Sequence, residues 1–258
     1  MSDGLRTAAR KCLPAPLRKL AGDLEFTVSR FIKGALFDLS GGEFRADGCT
    51  FAIPKHLTSL AYRSCFFDRS YEAEERELVR ALVKPDDRVL ELGACLGIVS
   101  CVTNKLLRDN SRHVVVEGNP FCIPSIHRNR ELNHCGFLTE NCAVSSQRDV
   151  TFYLHPVYIV GGTTQRQSGR PILVPGRSLL ELEEKYGPFS ALIMDVEGSE
   201  LEVLAASGEA LKKYRLVIVE LHDWAIGVEG VGRCRAILEQ SGLRQVKRAG
   251  LTEAWERL

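Results

Sequence analysis

Six side chains able to move protons or hold cations stand at regular points along the chain: Glu91, Glu117, Asp195, Glu197, Glu220 and His222. Four of them sit in or at the end of short apolar runs: Val89 to Leu92, Val114 to Glu117, Ala191 to Asp195 and Leu216 to Glu220. Glu197 and His222 follow two residues beyond the last two acids. Runs this short and this apolar read as buried strands. Ligands of an open α/β sheet bind at the carboxyl ends of its strands, so the set would gather on one rim. Converging carboxylates repel, and such a group needs a cationic ligand, a metal or a proton to share. A hydroxyl brought among Asp195, Glu197, Glu220 and His222 would find either a general base or the ligands of a pKa-lowering metal. The residues alone do not choose between base and divalent metal, and no metal ligand is assigned. Taken singly, a strand-end acid is a solvated carboxylate and His222 a hydrogen-bonded structural histidine.

The rim is organised around residues 88 to 97, Arg-Val-Leu-Glu-Leu-Gly-Ala-Cys-Leu-Gly. An apolar run stops at Gly93, and helical periodicity begins after Gly97 at Ile98, giving a strand, a tight turn and a helix. Gly93 lets the backbone turn with no Cβ against a ligand, and Gly97 permits close packing where the helix begins. A dinucleotide turn would read G-x-G-x-x-G. Here Cys95 replaces its second glycine and Ile98 its third, and Glu91 would repel a pyrophosphate. An acid at that point suits an amine-bearing ligand such as S-adenosylmethionine. Glu117 lies 24 residues after Gly93, one strand-helix-strand unit on, where an acid can accept hydrogen bonds from both hydroxyls of a ribose.

The elements that would position these residues alternate along the chain. A helix over Tyr71 to Lys84 precedes the first strand, and helices follow to Asn133, from Ser178 to Tyr186, from Ser199 to about Leu211 and from about Gly230 to Ser241. Further strands are expected at Leu138 to Val144 and Val150 to Leu154, with a closing hairpin at Leu243 to Lys247 and Glu253 to Arg257. Residues 161 to 171 read as a polar loop, a mobile connection or a lid. Alternation of this kind argues for an open, mostly parallel sheet. Ahead of it, residues 43 to 54 read as a hairpin about Asp47-Gly48. Leu17, Leu20, Leu24, Val28 and Phe31 recur at helical spacing in an N-terminal helix expected to pack as a cap, with membrane-surface contact the lesser expectation. Residues 1 to 70 are thus a helical cap and hairpin, and 71 to 258 the main domain.

Net charge is +1, which gives no global case for nucleic-acid or membrane binding. No apolar run approaches a membrane span, and the first thirty residues lack a secretory core. Nine cysteines, an odd number with no C-x-x-C, fit neither a zinc framework nor a disulfide scaffold. Reduced thiols in a cytoplasmic protein are the expectation.

In this order and spacing the motifs resemble the FkbM family of S-adenosylmethionine-dependent methyltransferases over about residues 50 to 222. Tyr71-Glu72, Lys84 to Ala94, Val116 to Pro120, Asn141 to Ser145 and Glu220-Leu221-His222 contribute, and Asp195-Val196-Glu197-Gly198-Ser199-Glu200 is similar to the family's D-x-E-G-x-E signature. The resemblance implies a Rossmann-like class I methyltransferase fold, a seven-stranded, mostly parallel sheet with an antiparallel closing strand and helices on both faces. It implies that Glu91, Gly93 and Gly97, with Ala94 and Cys95 of the turn, bound the methionine end of the cofactor, and that Glu117 holds the ribose. Asn119, Cys142 and Ala143 would lie near ribose and adenine. The family turn commonly has Asn where Cys95 stands, a departure that removes a hydrogen bond to the cofactor. The activity implied is O-methylation of a sugar or other small hydroxylated metabolite, with Asp195, Glu197, Glu220 and His222 as the catalytic set. The alternatives are a nicotinamide-dependent oxidoreductase, disfavoured by the failed dinucleotide turn, and a Rossmann-like binding module without turnover.

Overall fold

A computed structural model describes residues 15–155, 162–165 and 169–257, with side chains from residue 23 onward. Helix α1 (Ala15–Leu39) precedes a hairpin of β1 (Glu43–Ala46) and β2 (Cys49–Ala52). Asp47 and Gly48 adopt φ 51° and 76°, the left-handed pair that a two-residue type I′ connection requires. α1 departs from the expected cap. Leu24, Val28 and Phe31 are 64%, 46% and 48% exposed, whereas Phe37 near the other end is buried. Its grip is local: at Gly34 a Cβ would stand 1.8 Å from the Leu60 carbonyl oxygen. Among the described side chains, the apolar stripe therefore does not set which side meets the body, which is met by the last turns. Leu17 and Leu20 lie outside the described side chains.

After α2 (Ser64–Phe67) and α3 (Ala73–Leu82), the main domain alternates as expected. β3 (Val89–Leu92), α4 (Ile98–Leu106), β4 (His113–Val116), α5 (Ile123–Leu132) and β5 (Leu138–Glu140) make its first half. An insertion of β6 (Ala143–Val144), β7 (Asp149–Leu154), β8 (Gly162–Thr163) and β9 (Arg170–Arg177) follows. α6 (Leu179–Tyr186), opened by a Ser178–Glu181 capping box, leads into β10 (Ala191–Met194), α7 (Glu200–Ser207) and β11 (Leu216–Glu220). α8 (Asp223–Gln240), broken at Gly227, and the hairpin β12 (Arg244–Ala249) and β13 (Thr252–Glu256) complete the domain.

The main sheet has the order β12-β13-β11-β10-β3-β4-β5. β11, β10, β3, β4 and β5 are mutually parallel, and β13 runs antiparallel to β11, so the fold is the Rossmann-like architecture expected. Alternation fixes both faces. Leu90, Leu92, Val217 and Val219 pack with Leu204, Leu238 and Trp255. Val89, Ile193, Leu216 and Ile218 pack with Leu78, Val79 and Val99 on the other side.

Two expectations give way in the insertion. The single strand expected over residues 138 to 144 divides at Asn141, its second part joining a separate sheet of order β6-β9-β7-β8. The Asn141 Nδ2 donates to the Glu117 carbonyl at 2.7 Å, a bond a continuous strand would not make. The expected loop over 161 to 171 is strand at both described ends, since β9 pairs with β7 from Arg170 onward. Pro171 and Pro175 obscured it, yet both fit strand positions opposite Tyr153 and Asp149.

Candidate active site

β3 has β4 on one side and β10 on the other, so the chain's crossovers diverge there and leave a crevice at the strands' carboxyl ends. A cavity of about 290 Å³ opens in it. Gly93, Cys95, Glu117, Cys142, Ala143, Asp195 and Glu197 line it, joined by Tyr71 and Glu72 from before β3 and by Phe152 and Thr164 of the insertion.

The glycine turn is built by close approach. Gly93 has φ 87°, and a Cβ on it would fall 1.6 Å from the Asp195 carbonyl oxygen. The turn and the loop after β10 therefore touch as bare backbone, and only glycine fits. Cys95, at φ 49°, is left-handed without being glycine, and its sulfur accepts a hydrogen bond from the Tyr71 hydroxyl at 3.0 Å. Gly97, at φ 74°, sits 3.4 Å in Cβ terms from the Ile126 Cα, so it packs the turn on α5 and does not line the cavity.

Glu117 clips this turn to β4. Its Oε2 accepts from the amides of Ala94 at 3.0 Å and Cys95 at 2.7 Å, and its Oε1 from that of Asn119 at 2.6 Å. Burial pushes its carboxyl up to about 7 against the pull of those amides. Asn119 is buried, and its Oδ1 accepts from the Phe121 amide at 3.0 Å, opening the segment before α5. Ala94 thus contributes through its backbone, while Cys142 and Ala143 reach the cavity wall.

Glu91 stands elsewhere. Strand alternation turns it away from the Leu90–Leu92 face, where its carboxylate meets the Ser100 hydroxyl and, at 3.2 Å, His113 Nε2. The acid that lines the cavity from before β3 is Glu72. It adopts φ 47°, which delays α3 to Ala73, and its Oε2 is buried without a hydrogen-bond partner. Burial, with the nearby Glu91 charge adding to it, pushes its carboxyl up to about 8.

Beyond the ends of β10 and β11 the four expected catalytic side chains converge. His222 Nε2 lies 3.7 Å from Asp195 Oδ1, 3.7 Å from Glu197 Oε2 and 3.6 Å from Glu220 Oε1. Its Nδ1 is 2.8 Å from Oε1 of Glu200, which is fully buried and also accepts from the Gly198 amide at 2.8 Å. Burial, then the charges of Glu197 and Glu220, push the Asp195 carboxyl well above the usual range. Burial would depress His222, but the Glu200 bond and the surrounding carboxylates outweigh it and raise the imidazole to about 9. Glu197 is itself left-handed at φ 50°, its carbonyl held by the Thr163 hydroxyl at 2.6 Å. The insertion thereby fixes the loop that carries the acids.

Glu72 and Glu200 are functional candidates that strand-end reasoning passes over. Both stand inside motifs of the sequence, Glu72 in Tyr71-Glu72 and Glu200 as the final acid of Asp-x-Glu-Gly-x-Glu. Neither ends a strand, so periodicity gives them no weight.

The chain resembles several solved structures remotely. Aeropyrum pernix fibrillarin, solved with natively bound S-adenosyl-L-methionine, is 14% identical with a TM-score of 0.43, over 70% of this chain and 73% of that one. M. jannaschii TYW2, in complex with AdoMet, is 13% identical with a TM-score of 0.45, over 84% and 86%. A precorrin-6y C5,15-methyltransferase from Geobacter metallireducens GS-15 is 12% identical with a TM-score of 0.45, over 80% and 91%. No curated protein matches the sequence. The model of the methyltransferase FkbM domain matches residues 91–244, which run from β3 and its glycine turn through the acid cluster to the start of β12. The chain belongs to the methyltransferase FkbM domain family.

Proposed function

We propose that the protein is an S-adenosylmethionine-dependent O-methyltransferase acting on a hydroxyl of a sugar or other small metabolite in the cytoplasm. One observation carries the reading: the wall of a cavity backed by a glycine turn bears two buried carboxylate oxygens without hydrogen-bond partners, one on Glu72 and one on Asp195. The first suits an ammonium and the second a hydroxyl about to lose its proton. When bound, S-adenosylmethionine supplies an electrophilic methyl on a sulfonium. Glu72 pairs with its ammonium, the role the sequence suggested for Glu91. Glu117 already accepts three amides, and its remaining lone pairs take a ribose hydroxyl. Cys142 and Ala143 pack against the adenine.

Transfer from a sulfonium is an in-line displacement, so holding the acceptor oxygen against the methyl supplies most of the acceleration. Asp195 and Glu197, the catalytic acids that line the cavity, receive the acceptor's hydroxyl proton, with the Glu220 charge strengthening Asp195 as the acceptor and His222 as the counter-charge to the carboxylates. A rim of carboxylates repels a phosphate backbone, which favours an uncharged or cationic small acceptor over nucleic acid. No helix among the described residues is long and apolar enough to cross a membrane. The eight cysteines among the described residues form no disulfide.

The reading is tested by Asp195→Asn. Methyl transfer from radiolabelled cofactor to hydroxylated acceptors should be abolished while cofactor binding persists. Normal turnover by the variant would overturn the assignment, and turnover of RNA but of no small acceptor would overturn the substrate class.

A further inference from the structure

We infer that Asp195, Glu220 and His222 bind a divalent cation of the Mg2+/Mn2+ class, with Glu197 at the open side of the ion and Glu200 holding the imidazole from behind. One donor atom from each of the three residues lies within 4.8 Å of the other two. The His222 side chain is 6% exposed, and its Nε2 points at oxygens of Asp195, Glu197 and Glu220 from 3.6 to 3.7 Å. Those separations are too long for hydrogen bonds. They match the spacing of neighbouring ligands on one ion, since bonds of about 2.1 Å at right angles leave donors roughly 3 Å apart, and opposite ones about 4.2 Å.

Two further features call for a cation. Asp195 Oδ1, the oxygen facing His222, is buried and has no hydrogen-bond partner. An imidazolium alone would close on one carboxylate at hydrogen-bond distance, whereas Nε2 stands off three of them almost equally. Glu200 accepts from Nδ1, so an ion that displaces the Nε2 proton meets that nitrogen's lone pair, the carboxylate–histidine–metal arrangement. A donor set of carboxylates with one imidazole and no thiolate favours Mg2+ or Mn2+ over Zn2+. Three protein ligands leave positions open toward the cavity that Asp195 and Glu197 line, where an acceptor hydroxyl can coordinate. That use of the ion rests on the methyltransferase reading; its binding does not.

The probe is Mn2+ alone, added to the full chain after chelator treatment and followed by the electron paramagnetic resonance of free hydrated Mn2+. The wild type should take up one ion. Glu220→Gln and His222→Ala should weaken uptake at least about tenfold, and Glu200→Gln by about 10- to 100-fold through the displaced imidazole. Glu209→Gln, an exposed acid, should bind as the wild type does. Circular dichroism melts select the variants that remain folded, and any one of the three suffices. Wild-type uptake no greater than that of His222→Ala, or folded variants that bind normally, would overturn the proposal. Titration of the same samples with S-adenosylmethionine separates the two readings: Mn2+ uptake without cofactor binding sinks the cofactor assignment alone, and cofactor binding without uptake sinks the ion alone.

Discussion

Replacing Glu72 by Gln should make the protein more stable and its cofactor binding weaker. The carboxylate is carried into a cavity wall with one oxygen unpartnered and Glu91 nearby, and its proton is retained from the ordinary 4.5 up to about 8. At pH 7 the unfolded chain gains about 3 kcal/mol of ionisation that the folded chain forgoes, at about 1.36 kcal/mol per pKa unit. Gln removes that penalty but loses part of the hydrogen bonding that the Val99 amide gives the acid, so a net gain of about 1–3 kcal/mol is expected. For a chain of this size that is about 2–4 °C in Tm per kcal/mol. The sign follows from a raised folded pKa: the acid's relative stability is full below 4.5 and is lost as pH rises toward about 8. The gap between variant and wild type should therefore widen from pH 5 to pH 8. In the same variant S-adenosylmethionine loses a charged partner, worth about 1.5–3 kcal/mol or roughly 10- to 150-fold in Kd. Thermal melts across that pH range, paired with calorimetric titration at pH 8, measure both. A variant destabilised at pH 7, or one that binds the cofactor as tightly as the wild type, would refute the reasoning.

Gly93→Ala should cost about 2–5 kcal/mol, combining a left-handed φ with a Cβ driven into the Asp195 carbonyl, and denaturant melts read it; wild-type stability would contradict the bare-backbone contact. Cys95→Asn places a residue tolerant of positive φ in the turn and restores the amide common in the family, so calorimetry should find S-adenosylmethionine bound about 2- to 12-fold more tightly, from about 0.5–1.5 kcal/mol for one hydrogen bond. Burial would raise the Asp87 carboxyl, but bonds from Arg215 at 2.6 and 3.2 Å, the Lys84 amide and Ser190 hold it below its ordinary 3.8. Its stabilisation is present above 3.8 and lost as pH falls further, and Asp87→Asn should cost about 2–3 kcal/mol at pH 7, with the difference shrinking below pH 3.8.

Strand-end chemistry was legible because a parallel strand buried on both faces is an uninterrupted apolar run, and the acid that stops it marks the rim. Val114–Glu117, Ala191–Asp195 and Leu216–Glu220 declare themselves in that way, and His222 follows from the last. Glu91 misleads for the same reason: it lies inside its strand, where the two-residue alternation assigns it to the α4 face beside Ser100 and His113. The insertion was opaque because β6 and β8 have only two residues each and β9 contains two prolines, so neither period nor composition signals a sheet. Glu72 and Glu200 acquire importance only from tertiary neighbours, which spacing along one chain does not encode. α1 shows the converse, an amphipathic period whose Leu24, Val28 and Phe31 stand exposed.

The most direct test is calorimetric titration of the purified protein with S-adenosylmethionine, S-adenosylhomocysteine and NADH. Both adenosyl ligands should bind one to one and NADH should not, and Glu117→Ala, which releases the amides of the glycine turn, should abolish their binding. NADH bound in preference, or no binding of either adenosyl ligand, would contradict the cofactor assignment.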